Sequence, residues 1–354
     1  MLEQLDEAAL KASSILRPAH AVESFVFRYL SYDDTVKMDL RMRDVVPMFE
    51  EAYRRIGEGT STTQARVRLV HPTLTEGMGK GRPWERDLRI LPAMVPGMGT
   101  ACRLGGSARS RGSGVLLVYW DFETMALRAV ISDQLVHGVR SAAPDGPLTK
   151  YLAKEDSRTL GVIGTGRIAR WAAEAAWSQR PITTIKAYSR DPAHRAEFCS
   201  YVGARLEVAT VNCSSCDEAV EGADVVVMAT STRVPVINGA AVGPGCTVIS
   251  NTPEELDEAT VRKASRIVVT STEEVATHVP PWQAVYDLMQ RGELPPDAIS
   301  CEISDVIAGR APGRLSDDEI IVCVNSGSGV HDVAVARFVY KRAISLGLGT
   351  DLPT

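Results

Sequence analysis

The sequence predicts an α/β protein in two parts, and three observations predict it. From Thr159 onward, apolar runs of about five residues alternate with helical stretches, the pattern of βαβ units and a parallel sheet. The first of these runs opens directly into the turn Gly164-Thr165-Gly166-Arg167-Ile168-Ala169. Before about residue 145, the β-type runs instead lie back to back across short turns, as in a sheet built from hairpins. At 354 residues the chain exceeds one ordinary hydrophobic core, so about two domains with a core each are expected.

Taken in order, the first part begins with an acidic N-terminal arm. Val45 to Tyr53 follows, with apolar residues at i, i+3 and i+4, which predicts a helix. Ala65 to Val70 and Gly114 to Trp120 read as strands; the second stops at the turn-forming Asp121 to Thr124, and Met125 to Ile131 returns antiparallel to it. The second part offers six strands, Leu160–Ile163, Ile185–Tyr188, Leu206–Ala209, Val225–Ala229, Thr247–Ser250 and Arg266–Val269. The Gly- and Ser-rich Asn325 to Gly329 comes next, and Val333 to Leu346 has helical periodicity. This last helix is expected to pack on the N-terminal sheet. The division is then 1–148 plus 325–354 for an α+β domain, with 149–324 for the parallel-sheet domain.

Composition narrows the function. Hydrophobic residues at 45% and charged residues at 23% are those of a globular chain. The net charge of -5 comes from 44 acidic and 39 basic residues mixed along the sequence, leaving no basic stripe for nucleic acid. No stretch approaches the roughly 18 apolar residues of a membrane span, and the N-terminus lacks a charged start before an apolar run. Seven cysteines without a regular framework point to reduced thiols and a cytoplasmic location. Cys213 and Cys216 form a CxxC with no second ligand pair, so they read as two small loop residues and no metal site is expected.

The glycine turn carries the chemistry. Gly164 and Gly166 let the chain turn sharply off its strand and bring backbone close to a pyrophosphate, while small Ala169 lets the helix pack against the sheet. Following a strand, opening a helix and having a second strand end about twenty residues on, the motif reads as a Rossmann dinucleotide site. The end of that second strand, Tyr188-Ser189-Arg190, has serine where an acid would hold free ribose hydroxyls. Arg190 beside it suits a 2′-phosphate, which favours NADP(H) over NAD(H). Asp191 is the competing reading, since it could still face the ribose. Gly164, Thr165, Gly166, Arg167, Ile168, Ser189 and Arg190, with Thr230 and Ser231 after the fourth parallel strand and Ser326 and Gly327 in the late glycine-rich loop, form the expected cofactor set.

Three further motifs add a resemblance: Val139-Arg140-Ser141-Ala142-Ala143, Ile303 to Gly309 with Pro312-Gly313-Arg314, and Asn325-Ser326-Gly327 with Asp332. In order and spacing they resemble the ornithine cyclodeaminase and mu-crystallin family, from about residue 45 to the C-terminus. Asp317 to Ile321 and Leu348-Gly349-Thr350 look most like its branch of N-(2-amino-2-carboxyethyl)-glutamate dehydrogenases of siderophore and antibiotic pathways. The resemblance implies a nicotinamide-dependent oxidoreductase acting on the C–N bond of an amino-acid-derived imine or amine. It also implies a homodimer built through the non-Rossmann domain, and a small amino-acid-like substrate.

Carried over residue by residue, the resemblance makes Arg140 the clamp for the substrate carboxylate, with Arg66 or Arg68 as a second arginine; strand alternation puts both on one face. Where the family has a pocket lysine this chain has Arg103, which cannot give up its proton at neutral pH but can bind a carboxylate. Where cyclodeaminases have an aspartate two residues before proline, this chain has Asn251, which hydrogen-bonds but takes no proton. Asp332 and His331 are the expected candidates for proton handling, and Pro144 and Pro147 interrupt the segment leading to Tyr151. A cyclodeaminase with internal cofactor recycling and a non-catalytic nicotinamide-binding protein are the alternative functions.

Overall fold

The computed structural model describes residues 26–70, 87–107, 114–278, 282–295 and 297–353; the acidic N-terminal arm lies outside the described residues. The first part is a sheet of β1 (Val26–Leu30), β2 (Thr62–Thr63), β3 (Val67–Val70), β4 (Asp87–Val95), β5 (Gly99–Ser107), β6 (Val115–Trp120) and β7 (Leu127–Ser132). Strands β4 to β7 run antiparallel in sequence order, β3 pairs with β4, and β1 adds in parallel to β7. The helix expected at Val45–Tyr53 spans Met42–Gly57, and its buried stripe of Val45, Val46, Phe49, Ala52 and Tyr53 has the helical period.

The second part is an all-parallel sheet of β8 (Thr159–Ile163), β9 (Thr184–Tyr188), β10 (Ala209–Asn212), β11 (Val225–Met228), β12 (Thr247–Ser250), β13 (Arg266–Val269), β14 (Ile299–Glu302) and β15 (Ile321–Val324). Its order, β10-β9-β8-β11-β12-β15-β13-β14, reverses direction beside β8. That is the switch point at which open α/β sheets bind ligands. Both faces are covered: Val225 and Val227 face one apolar cluster, Val226 and Met228 the other. The strand expected at Leu206–Ala209 is displaced. Leu206 is the buried end of the helix Pro192–Leu206, Glu207 terminates it at φ 56°, and the strand starts at Ala209. Two strands, β14 and β15, were not anticipated, and β15 inserts between β12 and β13.

The C-terminal helix Gly329–Leu346 packs on β4 and β5, and β16 (Thr350–Pro353) then pairs antiparallel with β1. The expectation of one core per domain is corrected. One cluster runs unbroken from the first sheet through the Met42–Gly57 and Gly329–Leu346 helices to one face of the parallel sheet, and the second fills only the opposite face. The interruption at Pro144 is a joint between two helices, Asp133–Ala142 and Asp145–Leu152. Pro147 falls in the first turn of the second helix, where a missing N–H costs little.

Candidate active site

The turn from β8 into the helix Arg167–Trp177 is built for close approach. Gly164 lies at φ +98°, and a Cβ there would stand 2.4 Å from the Ala229 carbonyl oxygen, so a side chain fits neither the backbone nor the space. Its amide donates to the Tyr188 carbonyl at 2.8 Å, tying the turn to the end of β9. Gly166 is the N-cap and supplies no side-chain cap. Apart from its chain neighbours, no heavy atom of the described residues lies within 4 Å of where its Cβ would be. The first N–H groups of the helix therefore face open space with the positive end of the dipole behind them, which fits a diphosphate. Ala169 is fully buried against the sheet. Arg167 turns away, donating to the Gln134 carbonyl at 2.8 Å.

At the far end of this crevice, Thr165 Oγ1 donates to Ser189 Oγ at 2.8 Å. Asp191 is engaged elsewhere: its Oδ1 accepts from the N–H groups of Ala193 and His194 at 2.8 and 3.1 Å, capping Pro192–Leu206 and holding the carboxyl below its usual range. Arg190 is exposed. Arg195, which the sequence reading missed, donates to the Ser189 carbonyl at 2.5 Å and lies over the Tyr188 ring.

Beside the helix start opens a cavity of about 350 Å³. Ile168, Thr230, Ser231, Ser326 and Gly327 line it from the parallel-sheet side and the late loop. Arg66, Arg68, Arg89, Arg103 and Arg140 line it from the other. Arg140, Arg103 and Arg66 are held from behind by carboxylates. Arg140 Nε donates to Asp332 Oδ1 at 3.0 Å, and its Nη2 lies 3.5 Å from Oδ2. Arg103 Nε and Nη2 donate to Asp133 Oδ2 at 2.9 and 2.6 Å. Arg66 Nη2 lies 3.8 Å from Glu274 Oε2, and the Arg66 amide donates to Oε1 at 3.0 Å. Burial, reinforced by Arg140, Arg68 and Arg89, pushes Arg66 down to about 10. Gly327, at φ +78°, separates the two innermost arginines: a Cβ there would lie 3.2 Å from Arg66 Nη2 and 3.3 Å from Arg140 Nη1.

The cavity also holds His137, 3.2 Å from Arg103 Nη2 through Nδ1. Burial and the surrounding arginines push its pKa well below the usual value, so it is neutral. A guanidinium only donates, so Nδ1 accepts and the ring proton sits on Nε2. His331 is not a cavity group. It is 1% exposed, its Nε2 lies 2.6 Å from Tyr53 Oη, and burial holds it well below the usual histidine range. Asp332 is fully buried behind Arg140, and burial raises its carboxyl against the pull of Arg140 and Arg103. The expectation that Asp332 and His331 handle a proton is therefore corrected. Neither reaches the cavity, and Asp332 orients Arg140.

Asn251, at the end of β12, lines the cavity from the base. Its Nδ2 donates to Asp145 Oδ2 and to the Met228 carbonyl, both at 3.0 Å. Asn325 Nδ2 lies within 3.0 Å of three acceptors: Asp145 Oδ1, the Ser141 carbonyl and Asn251 Oδ1. Burial pushes the Asp145 carboxyl up to about 7, against these two amides. Glu255, fully buried nearby, accepts from the amides of Thr230, Asn251 and Thr252 and pins the ends of β11 and β12.

The open helix start and the arginine-lined cavity thus lie side by side, Ile168 lining the cavity from that helix. The family described as ornithine cyclodeaminase/mu-crystallin matches residues 28–347. The chain belongs to this family. It is 29% identical over 237 residues to a Delta(1)-pyrroline-2-carboxylate reductase of Bacillus cereus, covering 65% of this chain and 71% of that one. It is 27% identical over 244 residues to the N-((2S)-2-amino-2-carboxyethyl)-L-glutamate dehydrogenase of Staphylococcus aureus, covering 68% and 71%. Among solved structures it resembles an archaeal alanine dehydrogenase dimer with bound NAD, at TM-score 0.77 and 25% identity, over 92% of this chain and 99% of that one.

Within this family frame, the fold gathers Arg66, Arg103, Arg140, Asn251, Thr230, Ser231, Ser326, Gly327 and Ile168 around one cavity. Gly164, Thr165, Gly166 and Ser189 stand where the ends of β8 and β9 are tied together, Arg190 is exposed, and Asp332 is paired with Arg140. Arg68 joins Arg66 on the cavity wall, as strand alternation allows. Sequence reasoning missed Arg89, His137, Asp133, Asp145, Glu255 and Glu274. For Arg89 a signal existed: the alternation Leu88-Arg89-Ile90 is that of a strand, and Arg89 stands directly opposite Arg68.

Proposed function

We propose that the chain is an NAD(P)-dependent oxidoreductase that transfers hydride to or from the carbon of an amino-acid-derived C–N bond. The observation that carries this reading is the meeting of the helix start that fits a diphosphate with carboxylate-binding arginines: Ile168 and Arg140 line the same cavity. Bound in the crevice, a nicotinamide cofactor supplies the hydride. The chain supplies position and charge. Arg140, oriented by Asp332, and Arg103, oriented by Asp133, clamp the carboxylate next to the reacting carbon, with Arg66 beside them. Gly327 lets the backbone approach the reacting ring. His137 presents an Nε2 proton to the cavity. Asn251 cannot accept a proton, which weighs against ring closure with ammonia release.

The cofactor is NADP(H). Ser189 leaves the ribose end without an acid, Asp191 is committed to its helix cap, and Arg190 is free of any cap or core role. Residues 1–148 with 325–354 act as the substrate-binding and dimerisation domain, and 149–324 as the nucleotide domain. The homodimer forms through the outer face of the first sheet, where Val67, Leu69, Leu88 and Leu104 are exposed opposite the arginine face. The seven free thiols suit a reducing cytoplasm. We place this activity in specialised amino-acid biosynthesis, the setting that the resemblance to the N-(2-amino-2-carboxyethyl)-glutamate dehydrogenase branch implies. The test is a screen of amine and 2-oxo-acid pairs with NADPH and NADH, following nucleotide absorbance. Consumption with an imine-forming pair is expected; tight nucleotide binding without consumption for any pair would overturn the catalytic reading.

A further inference from the structure

Asp145 takes no part in the chemistry above, yet it is a fully buried carboxyl one hydrogen bond from the cavity wall. Its two oxygens receive one amide each, Asn251 Nδ2 at Oδ2 and Asn325 Nδ2 at Oδ1, both at 3.0 Å. The orientation of these amides follows from chemistry. Asn251 Nδ2 faces the Met228 carbonyl as well as Asp145, and Asn325 Nδ2 faces the Ser141 carbonyl. Carbonyls and carboxylates only accept, so an NH₂ group must stand at each place. Asn251 has then used both its amide hydrogens, and Asn325 shares two among three acceptors. What remains for the cavity is acceptor capacity on the amide oxygens alone.

We propose that Asp145 is a positioning residue that fixes Asn251 and Asn325 as hydrogen-bond acceptors toward the cavity, so that the site selects ligands with an N–H donor beside the carboxylate over their oxygen counterparts. The inference rests on the C–N reading for its ligand class, and it adds the discrimination. An imine or amine nitrogen carrying a proton donates to these oxygens. A carbonyl or ether oxygen meets them lone pair to lone pair and gives no donor to their remaining capacity, Asn251 Oδ1 accepting already from Asn325 Nδ2 at 2.8 Å. The chain would thus handle C–N and reject the C–O bond of the corresponding oxo or hydroxy acid.

The experiment uses two probes of one shape, L-proline and tetrahydrofuran-2-carboxylate, which differ in a ring NH₂⁺ against a ring oxygen. Calorimetry on the full chain with saturating NADPH, and separately NADH, at about pH 8.5 keeps Asp145 ionised and the nucleotide unable to oxidise the probe. L-proline is expected to bind at least about tenfold more tightly. Asp145→Asn places an NH₂ against one of the two amides, whose hold then conflicts with that of its backbone carbonyl, so the preference should fall to within about twofold. Asn251→Ala removes one acceptor together with one of the two amides on Asp145, and should lower the preference in a protein whose circular dichroism matches wild type. Equal affinity of the two probes in wild type, no measurable binding of either, or an unchanged preference in Asn251→Ala would overturn the assignment. Failure of the C–N reading shows separately, as absence of nucleotide consumption with a preserved preference for proline.

Discussion

Replacing Arg140 separates folding from function at one residue. Arg140 is 4% exposed and Asp332 fully buried, and they meet through Nε at 3.0 Å and Nη2 at 3.5 Å. Arg140→Met leaves the Asp332 carboxylate without its partner in the interior, at a cost of about 3–5 kcal/mol. The cost is capped because the carboxyl can take a proton. Burial already raises the Asp332 pKa above its unfolded value, and without Arg140 it rises further. A carboxyl with a raised folded pKa gains stability as pH falls through that pKa, so the deficit should shrink on acidification from about pH 8 toward pH 5. Adding Asp332→Leu removes the stranded group, and the double variant should return to within about 1–2 kcal/mol of wild type. Activity should behave differently: both variants lose the carboxylate clamp, and kcat/KM should fall by roughly 10²–10³. Urea unfolding at several pH values and steady-state kinetics on the best imine substrate supply the two readouts. Arg140→Met as stable as wild type at pH 8, or a double variant with full kcat/KM, would refute the reasoning.

Other substitutions test the remaining parts of the site. Gly164→Ala, forced into φ +98° with its Cβ 2.4 Å from the Ala229 carbonyl, should abolish nucleotide binding by calorimetry while the first sheet stays folded. Arg190→Ala should raise the KM for NADPH by about tenfold and leave that for NADH within about twofold; equal effects would remove Arg190 from cofactor choice. Asp145, with its pKa pushed up to about 7 by burial, binds a proton more tightly folded than unfolded. Wild-type stability should therefore decline as pH rises from about 4 to 7 and then level off, and Asp145→Asn should flatten that slope in urea titrations. Gly327→Ala should press on the Arg66 and Arg140 guanidiniums and lower kcat/KM by about tenfold or more in steady-state kinetics.

The strands β8, β11, β12 and β13 were legible because a parallel strand buried on both faces is a short, continuous apolar run, and Leu160–Ile163 or Val225–Met228 needs no partner to look like one. Strand β10 was misplaced because Leu206, Val208 and Ala209 are all apolar. The boundary is set by Glu207 adopting φ 56°, a backbone event with no marker in composition. Strand β15 is also a continuous apolar run, but its place between β12 and β13 comes from long-range pairing that no local pattern encodes. In the site, glycines and the clamp arginine were readable because their chemistry is local. Asp145 was not: Pro144-Asp145-Gly146 has the composition of an exposed turn. Burial comes from helix Asp145–Leu152 packing on the helices Arg167–Trp177 and Met42–Gly57 and on β12.

The groups that escaped sequence reading share a physical role. Asp133, Glu274, Asp145 and Asp332 are buried carboxyls; each holds a cavity-lining side chain or, for Glu274, also a backbone amide. Their partners lie as far as 208 residues away in sequence, Arg66 with Glu274, or 192 away, Arg140 with Asp332. A guanidinium on a flexible stem must be immobilised before it can position a carboxylate, and only a buried counter-charge with fixed lone pairs does so without filling the cavity. The desolvation of that counter-charge is offset by the folding of both sheets around it. On the proposed reading, substrate recognition and tertiary stability draw on the same ion pairs, and variants chosen for tighter packing at Asp332 or Glu274 should lose affinity for a carboxylate ligand, measured by calorimetry, even where they gain in thermal stability.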